Sequence, residues 1–307
     1  MPLSSVELVA RINVWRREKN AVIMAHHYVR EEVQDIADCV ADSLQLAQEA
    51  AKTSADVIVL CGVHFMAETA ALISPDKKVL SPDLNAGCAM ANMLTEEELC
   101  DLRAEHPRAL VVTYVNSTAA IKAQSDICCT SANAVAVVKS LPADREIIFI
   151  PDRNLGAYVA KRAGRDLILW RDGFCPTHER MLPTFVETAR REHPRAKLVV
   201  HPETQPAVAA VADFVGSTAG IFRYCRESSA AEFIIGTEIG VLPRLRRENP
   251  GKQFYPLTET ADCPNMKLIT LAKIARCLER EEPVVRVKPE IAARARAPIE
   301  KMLKVKS

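Results

Sequence analysis

The sequence predicts an α/β protein. We expect three αβα units, each three-layered with a small parallel sheet, related by a pseudo-threefold axis around one central site. Three observations predict it. The chain repeats itself every 87 or 88 residues, apolar strands alternate with helical stretches inside each copy, and every copy closes on a cysteine. The repeat shows first in "EHPRA", at 105–109 and identically at 192–196. Each copy leads into an apolar strand and a polar triplet, "LVVTYVN" at 110–116 and "KLVVHPE" at 197–203. One period earlier stands "AVIMAHHY" at 21–28, so that His26, Tyr114 and His201 share a register. Self-similarity at a fixed period marks one supersecondary unit used several times.

Taken in order, "MPLSSVELVARINVWRREKN" reads as a mixed polar and apolar helix preceding the first strand. Seventeen residues beyond His26, Tyr114 and His201 lies a hydroxyl, Ser43, Ser131 or Thr218, each ahead of a helical run. A second strand follows in each unit, "DVIVL" at 56–60, "EIIFI" at 146–150 and "EFIIG" at 232–236. A helical stretch and a short third strand come next, "KVLSPD", "LILWRD" and "QFYPLT". Cys88, Cys175 and Cys263 end the units. Strand–helix alternation at this spacing makes parallel βαβ units covered by helices on both faces. The expected units are 1–104, 105–191 and 192–280, with 281–307 packed on the first. The basic tail "PVVRVKPEIAARARAPIEKMLKVKS" is read as a solvated helix covering the first and last units.

Composition narrows the function. A chain of 307 residues with 49% hydrophobic and 26% charged residues and a net charge of +1 reads as an ordinary soluble protein. It has no basic excess of the kind nucleic acid demands. No apolar run resembles a signal peptide or a membrane span, so the expected location is the cytoplasm, without membrane contact. Ten cysteines in a reducing compartment are buried thiols or ligands rather than disulfides. Cys39, Cys61, Cys100, Cys128, Cys129, Cys225 and Cys277 fall outside the shared register and are read as ordinary buried thiols. No CxxC pair, GxSxG, P-loop or GxGxxG occurs.

The registered cysteines carry the chemistry. Thiolates from three distant segments suit zinc or an iron–sulfur cluster, and both stay open on spacing alone. A cluster held by three cysteines leaves one iron free to act as a Lewis acid. Ser43, Ser131 and Thr218 are the residue types that cap helix N-termini, and three such termini aimed at one cavity would attract anions. In a parallel sheet, functional groups gather beyond the carboxyl ends of the strands. That places His26, Tyr28, Tyr114, Asn116, His201 and Glu203 together as hydrogen-bond and acid–base groups. His178, three residues after Cys175, reads as a fourth ligand, a group supporting the ligands, or a phosphate contact.

These motifs together resemble one family. "AHHYVREEVQDIADCVADSLQLA", "AGCAMANM", "TYVNSTAAIKAQSDICCTSANAV", "GFCPTH", "HPE", "VGSTAGI" and "CPNM" look like quinolinate synthase, the A protein of bacterial NAD biosynthesis. The resemblance runs from about residue 20 to the tail. It implies an iron–sulfur-dependent transferase that condenses dihydroxyacetone phosphate with iminosuccinate (iminoaspartate), losing phosphate and two waters. It implies a [4Fe–4S] cluster on Cys88, Cys175 and Cys263. Substrate contacts would come from His26, Ser43, Tyr114, Val115, Asn116, Ser131, His201, Pro202, Glu203 and Thr218. Tyr28, His178, His201 and Glu203 take catalytic roles by the same resemblance. The only further partner to consider is the oxidase that makes unstable iminoaspartate, in transient contact. His27 departs from the usual Asn of the His-Asn-Tyr triplet. Thr260, Ala261 and Asp262 stand where some members carry extra cysteines, which excludes a regulatory disulfide there. Two other readings are a radical iron–sulfur enzyme like those of diphthamide synthesis and a non-catalytic zinc-stapled scaffold.

Overall fold

A computed structural model describes residues 3–305. It contains three four-stranded, all-parallel sheets of identical strand order. The first unit holds β1 (Ala21–His26), β2 (Cys39–Ala41), β3 (Val57–Cys61) and β4 (Lys78–Leu80). The second holds β5 (Leu110–Tyr114), β6 (Ile127–Cys129), β7 (Ile147–Ile150) and β8 (Ile168–Leu169). The third holds β9 (Lys197–Val200), β10 (Phe214–Val215), β11 (Glu232–Gly236) and β12 (Gln253–Pro256). In each sheet the first strand lies between the second and third, with the fourth outermost, giving β2-β1-β3-β4, β6-β5-β7-β8 and β10-β9-β11-β12.

The third strand in each unit reads as an unbroken apolar run because helices cover it on both faces. β3 and β7 are buried along their whole length. Phe149 and Phe233, on β7 and β11, are fully buried, and burying each side chain contributes roughly 1.5–3 kcal/mol.

Each unit therefore has four strands where the sequence reading expected three. The added strands β2, β6 and β10 are two or three residues long and sit at sheet edges, too short for a periodicity to show. One aspartate fixes each. Asp38, Asp126 and Asp213 accept the backbone N–H of Ile23, Val111 and Leu198 at 2.9, 2.8 and 2.8 Å. Their own N–H groups return bonds to the carbonyls of the same three residues. The bond spans fifteen residues each time and sets the register of first strand against edge strand. A signal was present in "ADCVADS", "SDICCTS" and "ADFVGST", seven residues with Asp second and a hydroxyl last.

The chain ends pack as follows. The helix Leu271–Arg280 lies on the N-terminal helix Ser5–Glu18 and on β3. Val284 then bridges antiparallel to Leu80. The last helix, Pro289–Lys304, rests on the helix His64–Ile73, on the helix Ala119–Lys122 and on β6. It thus covers the first and second units, not the first and last. Two of its basic residues serve backbone carbonyls of other elements, Arg296 that of Leu72 and Lys301 that of Asp126. Among the described residues no helix is long and apolar enough to cross a membrane.

Candidate functional site

The strand ends turn the same way in all three units, toward a cavity of 910 Å³. The first unit lines it with His26, Tyr28, Ser43 and Cys88, the second with Tyr114, Asn116, Ser131, Cys175 and His178, the third with His201, Glu203, Thr218 and Cys263. Val115 and Pro202 are buried behind their neighbours and do not line it. His27 stacks on Phe222, centroids 4.6 Å apart, away from the cavity.

The backbone assigns the histidine tautomers. His26 Nδ1 accepts the N–H of Tyr28 at 3.2 Å, and His201 Nδ1 that of Glu203 at 3.3 Å. A ring nitrogen that accepts carries no proton, so Nε2 is the donor in both rings. His201 Nε2–H donates to Ser131 Oγ at 3.1 Å. Burial holds each ring's pKa down to about 3, so both are neutral hydrogen-bond donors at physiological pH.

Glu203 is the hub. Tyr114 donates to its Oε1 at 2.6 Å, and His178 Nδ1 lies 2.8 Å from Oε2. Burial alone would raise this carboxyl's pKa. The hydrogen bonds from His178 and Tyr114 act against it and favour the ionised form. Donation from His178 Nδ1 leaves Nε2 to accept from Thr237 Oγ1 at 2.9 Å. Thr237 then accepts from Tyr28 Oη at 2.7 Å. A continuous path thus runs Tyr28–Thr237–His178–Glu203–Tyr114. Burial, with the charge of Glu203, pushes both phenols far above the ordinary range, so they stay protonated.

The cysteines share a local device. Each leads into a short helical turn, Met90–Asn92, Pro176–Glu179 or Met266–Leu268, Cys175 as its N-cap and Cys88 and Cys263 one and two residues ahead of theirs. Burial raises all three thiols, Cys88 to about 12. Backbone N–H groups act the other way, those of Met90 and Ala91 on Cys88, His178 on Cys175, and Asn265 and Met266 on Cys263. Amides aimed at sulfur stabilise thiolate, the form a metal needs. All three cysteines line the same cavity, so the donor set suits a group held by three thiolates. Gly173 permits the close approach in the second unit, since a Cβ there would lie 1.8 Å from the Pro151 carbonyl oxygen. A single ion is a separate option at Cys175, His178 and Glu203, whose ligand atoms lie within 4.8 Å of one another. His178 Nδ1 already bonds Glu203 and lies 3.1 Å from Cys175 Sγ, so an ion there would displace existing bonds.

The structure corrects the reading of the hydroxyls. Ser43 and Thr218 are first helical residues, and the caps are Asp42 and Ser217. Ser131 lies in a turn before the helix Ala134–Ser140. None of the three is used up as a cap, and each faces the cavity. Asp42 also receives the N–H of Ala219, so one buried carboxylate of the first unit serves helix starts in the first and third. Cys100 is exposed on the outer face of its helix and Cys39 is half-buried, not buried thiols as expected.

Several residues escaped the sequence reading. Thr237 and Asp152 follow β11 and β7. Asp152 is buried, caps Leu155 N–H, and is held above the ordinary carboxyl range by burial and by Glu203. Glu238 accepts the Cys263 N–H at 3.1 Å and pairs with Lys267 at 2.7 Å. Burial lifts its pKa to about 7 against the pull of Lys267. Arg180 at the cavity rim is a further omission. Asp152 and Glu238 stand six residues after Glu146 and Glu232, a repeat-register signal that finds them.

Residues 10–304 match the family model described as quinolinate synthetase A protein. A "Quinolinate synthase" of Geobacter metallireducens is 55% identical over 289 residues, 94% of each chain. One from Desulforudis audaxviator is 54% identical over 299 residues, 97% of this chain and 98% of the relative. "Quinolinate synthase 1" of Methanosarcina acetivorans is 50% identical over 304 residues, 99% of each.

Proposed function

The chain belongs to the quinolinate synthetase A protein family, and we propose that it condenses iminosuccinate with dihydroxyacetone phosphate to quinolinate in NAD biosynthesis. Phosphate and two waters leave. The observation that carries the reading is the convergence of three cysteine turns and three polar strand ends on one cavity. Cys88, Cys175 and Cys263 would hold a [4Fe–4S] cluster. Such a cluster, bound by three cysteines, supplies an open iron as Lewis acid for a substrate hydroxyl or carboxylate.

The remaining chemistry belongs to the side chains. Ser43 and Ser131, with the Nε2–H of His26, offer neutral donors for the carboxylates of iminosuccinate, and Thr218 and His201 lie beside them, bonded to Tyr28 and Ser131. Asn116 adds an amide whose Oδ1 has no protein partner among the described residues. Glu203 is the ionised acceptor for a proton taken from the condensing carbons. The path from Tyr28 through Thr237 and His178 donates toward Glu203, so these bonds, with that from Tyr114, stabilise its carboxylate as the proton acceptor. The apolar wall of Val63, Phe65, Met66, Met90 and Phe174 limits water around the dehydration steps.

Anaerobic purification followed by iron, sulfide and zinc analysis, with quinolinate formation from the two substrates, tests the reading. Equal iron and sulfide, a brown chromophore and quinolinate are expected. Zinc without sulfide would instead support an ion at Cys175, His178 and Glu203. Cytoplasmic location and contact with an iminoaspartate-producing oxidase remain parts of this proposal, supported by the instability of that substrate.

A further inference from the structure

The proposed substrates bring two carboxylates and a phosphate into a cavity whose lining includes the acidic residues Asp42, Glu179, Glu203 and Glu238. The helix starts do not offset them. Asp42 and Ser217 occupy the amides at the starts of the helices Ser43–Lys52 and Thr218–Glu227. His26 and His201 are neutral. Arg180 is the one Lys or Arg among the residues lining the cavity.

Its guanidinium has a definite setting. Nε donates to the Pro176 carbonyl at 3.1 Å and Nη2 to the Asp262 carbonyl at 3.1 Å. Pro176 follows Cys175 and Asp262 precedes Cys263, so the side chain spans two cysteine loops from different units. Both partners are carbonyls, which leave the positive charge unneutralised. Nη1 has no partner among the described residues, and the side chain is exposed at the rim. Glu179, beside it in sequence, is turned away and held by Arg153 at 2.7 Å and Asn154 at 2.8 Å.

We propose that Arg180 receives the phosphate of the triose phosphate at the cavity mouth and sets specificity for a phosphorylated three-carbon substrate. The inference rests on the proposed condensation for its substrate but not for its geometry. A planar, permanently charged fork pinned on two sides presents its free edge at little entropic cost.

The test compares wild type with R180Q and R180K in two experiments. Inorganic phosphate binding is measured by calorimetry without turnover, so it does not depend on which reaction the enzyme runs. Phosphate should bind wild type, and R180Q should weaken binding about 10- to 100-fold. In turnover, R180Q should raise KM for dihydroxyacetone phosphate by a similar factor, leaving kcat and the iminosuccinate KM within about threefold. R180K, which keeps charge without the fork, should recover most of both losses. Equal phosphate binding by wild type and R180Q overturns the proposal. So does a fall in kcat with the triose phosphate KM unchanged, since Arg180 would then only tie the two loops together. If R180Q does not fold, R180K decides alone, and loss of phosphate binding in that variant refutes the role of charge. Wild type that binds phosphate at Arg180 but makes no quinolinate would refute the condensation and leave this site standing.

Discussion

Replacing His26 with Asn separates the two roles the ring plays. The Asn side-chain oxygen occupies the place of Nδ1 and accepts the Tyr28 N–H as an Asx turn does. The titratable ring and its Nε2–H donor are lost. The folded pKa of His26 is lowered to about 3 from 6.5 because the ring is 5% exposed. Between those values the unfolded chain binds a proton that the folded chain refuses. The stability His26 contributes is therefore complete above pH 6.5 and is lost as pH falls. From pH 6.5 to 5 the loss is about 2 kcal/mol at 1.36 kcal/mol per unit. His201 and His27 act in the same direction. Glu238 opposes them from pH 7 down to 4.5, because its folded form takes the proton first. These contributions are common to both proteins, so the difference isolates position 26. Urea unfolding of ligand-free wild type and H26N, followed by far-UV circular dichroism at pH 7 and pH 5, measures it. Wild type should lose about 2 kcal/mol more than H26N across that interval. Parallel pH dependence would mean that the folded ring takes up its proton normally, and the assignment of a buried neutral donor would be wrong.

E203Q keeps the shape of the hub and removes its charge. Turnover should fall about 10²- to 10⁴-fold with little change in secondary structure, and undiminished kcat would remove Glu203 from proton transfer. C263S should lose bound iron, the brown absorbance and activity together while retaining a wild-type far-UV spectrum. Full iron content in that variant would exclude Cys263 as a ligand. F233A empties a buried site on β11 and should cost about 3–5 kcal/mol in urea unfolding. A cost below about 1 kcal/mol would show that the third unit collapses around the void.

The central strands and the strand ends were readable because parallel sheets demand buried apolar runs, and a repeat exposes whatever each copy keeps. Cys88, Cys175 and Cys263, like His26, Tyr114 and His201, stood out by register rather than by spacing. The edge strands β2, β6 and β10 did not, since β10 has only two residues and owes its place to Asp213. Ser43 and Thr218 looked like caps because a hydroxyl before a helix is ambiguous by one residue. That single residue decides whether the side chain closes the helix or faces a ligand.

Sequence alone determined that three similar units exist, where their strands end, and which residue types lie at those ends. Hydrophobic runs and backbone bonding are local, so the repeat carries them in every copy. Tertiary structure decided which donor meets which acceptor. It joined Tyr28 to Thr237, set His178 against Glu203, left Arg180 across two loops, and laid the last helix over the first and second units. Those contacts join residues as far apart as Tyr28 and Thr237, 209 positions, and Leu72 and Arg296, 224 positions. They depend on how three separately folded sheets face one another, a geometry no short stretch of chain contains.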